Sequence, residues 1–392
     1  MQGGGDVGEY RIDVDPAELA ELHDRLERTR WPDTLPDTGW ADGADLSFVK
    51  QMCEDWRHHD WAATQDRLNE LPHHLVDLGD AQVHCIHQRG VGPDPLPLVL
   101  THGWPSSFVE MLDVIGPLTD PEAHGGDGAD AFHVVVPSLP GYGFSPAPTE
   151  PGTDAGVIAD LWVKLMAHFG YDRFGSQGGD WGSAVTTALG ARHPDRLVGI
   201  HLNMLAPPID PATLTAEQRR WWDDLADYRD QEWGYVHLQR TKPHTPAFAL
   251  TDSPAGLAAW ILEKWWRWSD CEGPDGRRDL WRRFTPEQVF TNLTVYWVTR
   301  SIGPSLRLYR ETFGAGSLIS QPPRITVPTG VALFNEPNRP PRELVEPWYD
   351  LRRYTTIDEG GHFPAMENPA ALVEEVRAFF RPLREGASTV RA

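Results

Sequence analysis

The octapeptide Ser176-Gln-Gly-Gly-Asp-Trp-Gly-Ser183 has the form of a tight turn that presents one reactive side chain among small residues, and that side chain is Asp180. Three further segments carry groups that could work with it. His102-Gly-Trp-Pro105 follows an apolar run ending at Thr101. Phe334-Asn-Glu-Pro337 closes another such run and offers Glu336, and Gly360-Gly-His-Phe-Pro364 frames His362 with glycines and a proline. In chain order these supply a carboxylate nucleophile, an orienting acid and a general base.

A serine at the tip of the turn would need a base to take its proton before attack. An aspartate, with a reference pKa of about 3.9, is already ionised at neutral pH. It can displace a leaving group from saturated carbon and become an alkyl ester. Water activated by His362 then attacks the ester carbonyl, while Glu336 holds the imidazole tautomer and stabilises the imidazolium. The oxyanion formed in that step calls for N–H donors, and the backbone N–H groups of Trp104 and Trp181 are expected to supply them. Epoxides and haloalkanes are the electrophiles that suit such a site. A halide departs without a proton, whereas an epoxide oxygen departs as a strongly basic alkoxide unless a hydroxyl donor sits over it. Tyr228, Tyr235, Tyr296 and Tyr309 all fall where a lid could supply that donor, and composition does not choose among them.

These groups need elements that bring four distant loops together. Leu96–Thr101, His133–Pro137, Arg173–Ser176, Val198–Leu202, Ile325–Phe334 and Tyr354–Ile357 read as short buried strands, and Ile158–His168, Ser183–Ala191 and Pro369–Phe380 as helices. The alternation predicts an α/β fold with a mostly parallel central sheet covered on both faces. Asp180 then lies at the carboxyl end of a central strand, where open α/β sheets bind ligands. Gly178, Gly179 and Gly182 are expected to let the backbone make a strained turn without Cβ clashes. The order of nucleophile, acid and histidine is that of the α/β-hydrolase fold. Residues 205–310 are rich in Trp, Pro and charge without strand signals, and read as a helical lid. Residues 1–75 read as a helical extension, with Asp15 capping a helix that starts at Pro16 and a second helix over Ser47–Arg57. The core is expected to comprise 76–204 and 311–392.

The totals narrow the class further. A formal net charge of −22 over 392 residues repels phosphate backbones and anionic membranes, so nucleic acid is not an expected partner. Three widely spaced cysteines, Cys53, Cys85 and Cys271, fit neither a disulfide framework nor a thiolate zinc site. The paired histidines His58-His59 and His73-His74, and His84 with His87, lack carboxylates spaced to complete a metal site, so no metal or cofactor is expected. No segment approaches the roughly 18 apolar residues of a membrane span, and Met1–Asp6 has no signal-peptide character, which predicts a soluble cytoplasmic protein. Seventeen tryptophans, with clusters at Trp221-Trp222 and Trp265–Trp268, suit a pocket for a hydrophobic small molecule, aromatic ones included.

The sequence resembles the α/β-hydrolase epoxide hydrolases of the microsomal type, including the juvenile-hormone epoxide hydrolases. Tyr10-Arg-Ile-Asp-Val, Arg28-Thr-Arg-Trp-Pro32 and the Trp56 and Trp61 region are similar to that family's N-terminal extension. His102-Gly-Trp-Pro-Ser-Ser, Pro140-Gly-Tyr-Gly-Phe-Ser145, Gly178-Gly-Asp-Trp-Gly182, Gly234-Tyr-Val-His237, Thr241-Lys-Pro243, Asp252-Ser-Pro254, Leu262-Glu-Lys264 and Gly360-Gly-His-Phe363 are similar to its core and lid motifs. The resemblance implies Asp180 as nucleophile, His362 as base, and Tyr235 and Tyr309 as donors to the epoxide oxygen. The family usually carries Phe-Pro-x-Glu/Asp where this chain has Phe334-Asn-Glu336, one residue shorter, which leaves Glu336 for the acid. The membrane anchor of mammalian microsomal forms has no counterpart here, which again implies a soluble enzyme; a homodimer is compatible with it. A haloalkane or haloacid dehalogenase is the nearest alternative, disfavoured by the lid tyrosines. A non-catalytic binding relative is disfavoured because nucleophile, base and N–H donors are all present.

Overall fold

Leu96–Thr101 and Leu197–Leu202 are too short for helices and too apolar for a surface, and both are buried inside one eight-stranded sheet. The structure, a computed structural model, describes residues 9–313 and 323–387. The opening Met1–Asp6 stretch lies outside them, as do residues 314–322 and 388–392 of the carboxyl-terminal segment. The strands are β1 (His73–Asp77), β2 (Gln82–Gln88), β3 (Leu96–Thr101), β4 (Phe132–Pro137), β5 (Phe174–Gly178), β6 (Leu197–Leu202), β7 (Ile325–Leu333) and β8 (Tyr349–Thr356), in spatial order β1-β2-β4-β3-β5-β6-β7-β8. The β1–β2 and β2–β4 pairs are antiparallel and every other pair is parallel, which gives the mostly parallel α/β-hydrolase sheet.

Side chains alternate between two cores, one on each face. Val99 and Val135 enter one, while Leu98, Leu100, Val134 and Val136 enter the other. Before the sheet come α1 (Pro16–Glu27), α2 (Leu46–Arg57) and α3 (Trp61–Leu68). Asp15, Asp45 and Asp60 each cap the following helix through a side-chain oxygen. Within the sheet region come α4 (Leu112–Thr119), α5 (Ala155–His168) and α6 (Asp180–Arg192). Among the described residues six helices then lie between β6 and β7: α7 (Ala216–Glu232), α8 (Gly234–Thr241), α9 (His244–Asp252), α10 (Pro254–Trp268), α11 (Pro286–Val298) and α12 (Ile302–Thr312). The chain closes with α13 (Arg342–Val345), α14 (Pro364–Glu367) and α15 (Pro369–Ala387).

Several boundaries differ from the sequence reading for local reasons. Helix α5 starts at Ala155, earlier than Ile158, because Asp154 accepts the Val157 N–H and caps it there. Strand β8 starts at Tyr349 because Asp350, Arg352 and Arg353 sit on a half-exposed edge that an apolar-run criterion misses. Helix α3 is a short amphipathic segment absent from the sequence reading, held by the buried Trp61, Thr64 and Leu68. The N-terminal helices pack on the six-helix insertion: the Trp56 indole N–H donates to Thr294 at 2.8 Å in the interior, and Trp40 stacks on Trp266 at 4.0 Å.

Candidate active site

The loops that follow β3, β5, β7 and β8 leave the same edge of the sheet, and they bring together His102–Pro105, Asp180, Glu336 and His362. Asp180 is the first residue of α6 and has φ 46°, the left-handed region that aspartate tolerates better than most residues. The neighbouring glycines give the expected freedom from Cβ clashes. None of Gly178, Gly179 and Gly182 has positive φ, so Asp180 itself carries the strain. The glycines are there for close approach. A Cβ on Gly182 would lie 1.9 Å from the Thr101 carbonyl oxygen, and one on Gly179 would lie 2.2 Å from Asn203 Nδ2.

The two oxygens of Asp180 have different surroundings. Oδ1 accepts the Trp104 N–H at 2.8 Å and the Trp181 N–H at 2.7 Å. Oδ2 lies 3.5 Å from His362 Nε2, close enough for an ionic contact and too far for a good hydrogen bond. His362 Nε2 is buried and has no hydrogen-bond partner, while its Nδ1 is 3.0 Å from Glu336 Oε2. Burial alone would lower the pKa of His362, but the carboxylates of Asp180 and Glu336 on either side push it up to about 10. The two carboxylates therefore favour an imidazolium between them.

Tyr235, the second residue of α8, and Tyr309, on α12, line the cavity with Asp180. Tyr235 stacks on Trp104 at 5.2 Å, Tyr309 meets the edge of Trp181 at 4.6 Å, and the two phenol rings lie 5.9 Å apart. Burial, then the nearby charge of Asp180 for Tyr235, holds both phenols well above their ordinary pKa, so both carry their protons. The other two tyrosines separate from this pair. Tyr296 is buried with its hydroxyl on the Ser106 carbonyl at 2.9 Å, and Tyr228 lines the cavity wall near Glu232 and Glu336.

Two acids absent from the sequence reading hold the loops in register. Glu367 is buried and accepts the N–H groups of Gly361 at 2.8 Å, Phe363 at 2.9 Å and Asp270 at 2.7 Å, so it grips the chain on both sides of His362. Burial raises its carboxyl to about 7 against those hydrogen bonds. Asp270, just beyond α10, accepts the Gly360 N–H at 3.0 Å and the Asn335 amide at 3.1 Å. The same α10 end supplies the Trp268 carbonyl to the His362 N–H at 3.2 Å. A Cβ on Gly361 would come within 2.7 Å of that carbonyl oxygen. Glu367 had a local signal, since it falls one helical turn after Phe363 in a segment begun by Pro364. Asp270 had none, because its partners are 65 and 90 residues away.

The cavity above Asp180 has a volume of about 240 Å³ and a mainly apolar wall that includes Ala184, Ala188, Met204, Leu205, Val236 and Phe313. The histidine pairs lie elsewhere. His73 and His84 share a buried hydrogen bond at 2.9 Å, and His84 continues to Ser138 at 2.8 Å. Among the described residues no group of three or more His, Cys, Asp or Glu side chains is arranged to hold a metal ion, and no helix is long and apolar enough to cross a membrane.

Comparison with known proteins gives this geometry a family. Residues 7–111 match the family described as epoxide hydrolase N terminus, and residues 96–253 match the alpha/beta hydrolase fold. Epoxide hydrolase 1 of Oryctolagus cuniculus is 35% identical over 398 residues, covering 94% of this chain and 88% of that protein. The crystal structure of juvenile hormone epoxide hydrolase from the silkworm Bombyx mori superposes with a TM-score of 0.87 at 30% identity, over 97% of this chain and 96% of that one. The Aspergillus niger epoxide hydrolase superposes with a TM-score of 0.84 at 26% identity, over 97% of each chain. This chain belongs to the epoxide hydrolase family and is an enzyme of the α/β-hydrolase superfamily.

Proposed function

We propose that the enzyme converts an apolar epoxide and water to a vicinal diol through an alkyl ester on Asp180. The observation that carries this reading is the division of labour within one carboxylate. Oδ1 is held by the Trp104 and Trp181 N–H groups, which leaves Oδ2 without a hydrogen-bond donor and free to attack.

In the first step Oδ2 attacks an epoxide carbon, the carbon–oxygen bond breaks, and the departing oxygen takes a proton from Tyr235 or Tyr309. The tyrosinate recovers its proton at the expense of the imidazolium. Ester formation has removed the charge of Asp180, one of the two anions that raise the pKa of His362, so the imidazole can now be neutral. In the second step His362 Nε2 takes a proton from water and the hydroxide adds to the ester carbonyl. Oδ1 becomes an oxyanion between the two N–H groups that already hold it, so no reorganisation is needed. The adduct expels the diol oxygen, which takes the remaining hydroxyl proton, and Asp180 carboxylate and His362 imidazolium are restored. Glu336 holds Nδ1 throughout.

His362→Gln should stop the reaction after the first step. Intact-mass analysis of that variant with excess aryl epoxide should show the protein plus one substrate mass, with steady-state turnover down by about 10²–10⁴-fold. Normal turnover with no adduct would remove His362 from the role of base.

A further inference from the structure

Arg229 is the only arginine or lysine among the described residues that line the cavity. It sits on α7, which carries six acidic residues, Glu217, Asp223, Asp224, Asp227, Asp230 and Glu232. It forms no ion pair with any described residue. Glu232, one turn further on, binds Arg267 at 2.7 Å instead. The Arg229 guanidinium lies over Trp233 at 4.7 Å and Trp222 at 5.7 Å, and its Nε is enclosed without a hydrogen-bond partner. Burial lowers its pKa, and no neighbouring carboxylate offsets that cost.

An arginine on so acidic a helix would ordinarily keep its head in water or on a carboxylate. This one is drawn to the wall of an apolar cavity and left unpaired there. Neither indole offers a hydrogen-bond acceptor, so the guanidinium N–H groups have no partner among the described residues and can pair with a carboxylate. We propose that Arg229 is a carboxylate subsite, and that the preferred substrates are epoxides whose apolar body ends in a carboxylate remote from the ring. The proposal rests on the ester mechanism at Asp180 and adds the far end of the substrate to it. Because the whole protein carries a net charge of −22 and repels anions at long range, any preference for an acid must come from a local cation.

The test uses a ladder of terminal-epoxy alkanoic acids of increasing chain length, each beside its methyl ester, with diol formation as the readout. At the chain length that spans the cavity, kcat/KM for the acid should exceed that for the ester by about tenfold or more, mostly through KM. In Arg229→Met that ratio should fall by about tenfold, and Arg229→Lys, which keeps the charge but not the fork, should fall between. Both substrates are read on one preparation, so loss of folded protein cancels in the ratio. Equal turnover of acid and ester at every length, or a ratio unchanged in Arg229→Met, would overturn the subsite while leaving the ester mechanism intact. No diol from any acid or ester would overturn that mechanism, and the subsite with it.

Discussion

At the scale of single residues the site is a problem in charge placement. Three ionisable groups, Asp180, His362 and Glu336, lie within two contacts of 3.5 and 3.0 Å in a largely buried pocket. An imidazolium there is stable only while both carboxylates are ionised. Asp180→Asn removes one of them, so the pKa of His362 should fall from about 10 toward its ordinary value, as read by nitrogen-15 NMR of labelled histidine. An unshifted His362 resonance would mean that Asp180 does not hold the proton there. The sign for stability follows. A histidine whose pKa is raised on folding contributes stability that is present below about pH 6.5 and lost as the pH rises through about 10. In the proposed mechanism the tyrosines act on the other step. Tyr235→Phe and Tyr309→Phe should each slow ester formation by about 10²-fold, and should leave the hydrolysis of a preformed ester unchanged in single-turnover kinetics.

At the scale of elements the turn and the loops decide how well those residues meet. The sequence was sufficient to find the elbow, the His102–Pro105 loop and the His362 loop, because each joins a strand to a helix through glycine or proline and so leaves a local signal. It located Glu336 although the run after Phe334 is a residue short, and its carboxylate lies on His362 Nδ1. What it could not reach is the tie between loops. Glu367 and Asp270 act through hydrogen bonds to backbone N–H groups, which have no residue signature of their own. It foresaw that the three glycines avoid Cβ clashes but not that Asp180 carries the positive φ, since only backbone angles show which residue of a tight turn adopts it. Glu367→Gln replaces one of two accepting oxygens with a donor facing N–H groups. The loop should shift, kcat should fall by about 10²-fold, and the ester should accumulate during turnover, which stopped-flow fluorescence can follow. A loss confined to KM would argue that the clamp serves binding instead.

At the scale of the whole molecule the N-terminal helices brace the insertion that carries Tyr235 and Tyr309. Trp56 reaches into α11, Trp40 stacks behind α10, and Arg25 pairs with Asp252 at 2.8 Å at the end of α9. The sequence showed the helices but not this brace, because the contacting residues are more than 200 positions apart. Trp56→Ala removes a fully buried indole and orphans the Thr294 hydroxyl, at a cost of about 3–5 kcal/mol. Its Tm should drop by roughly 4–6 °C by differential scanning calorimetry. A Tm within a degree or so of the parent would show that the insertion holds without the brace. The sheet, the insertion and the brace together serve the proposed covalent event, and oxygen tracing reports on it directly. With enzyme in excess over an apolar epoxide in oxygen-18 water, the first diol should contain no heavy oxygen from solvent, and one heavy oxygen should be found in the peptide that contains Asp180. Heavy oxygen in that first diol, with Asp180 unlabelled, would mean that water attacks the epoxide itself and that no ester forms.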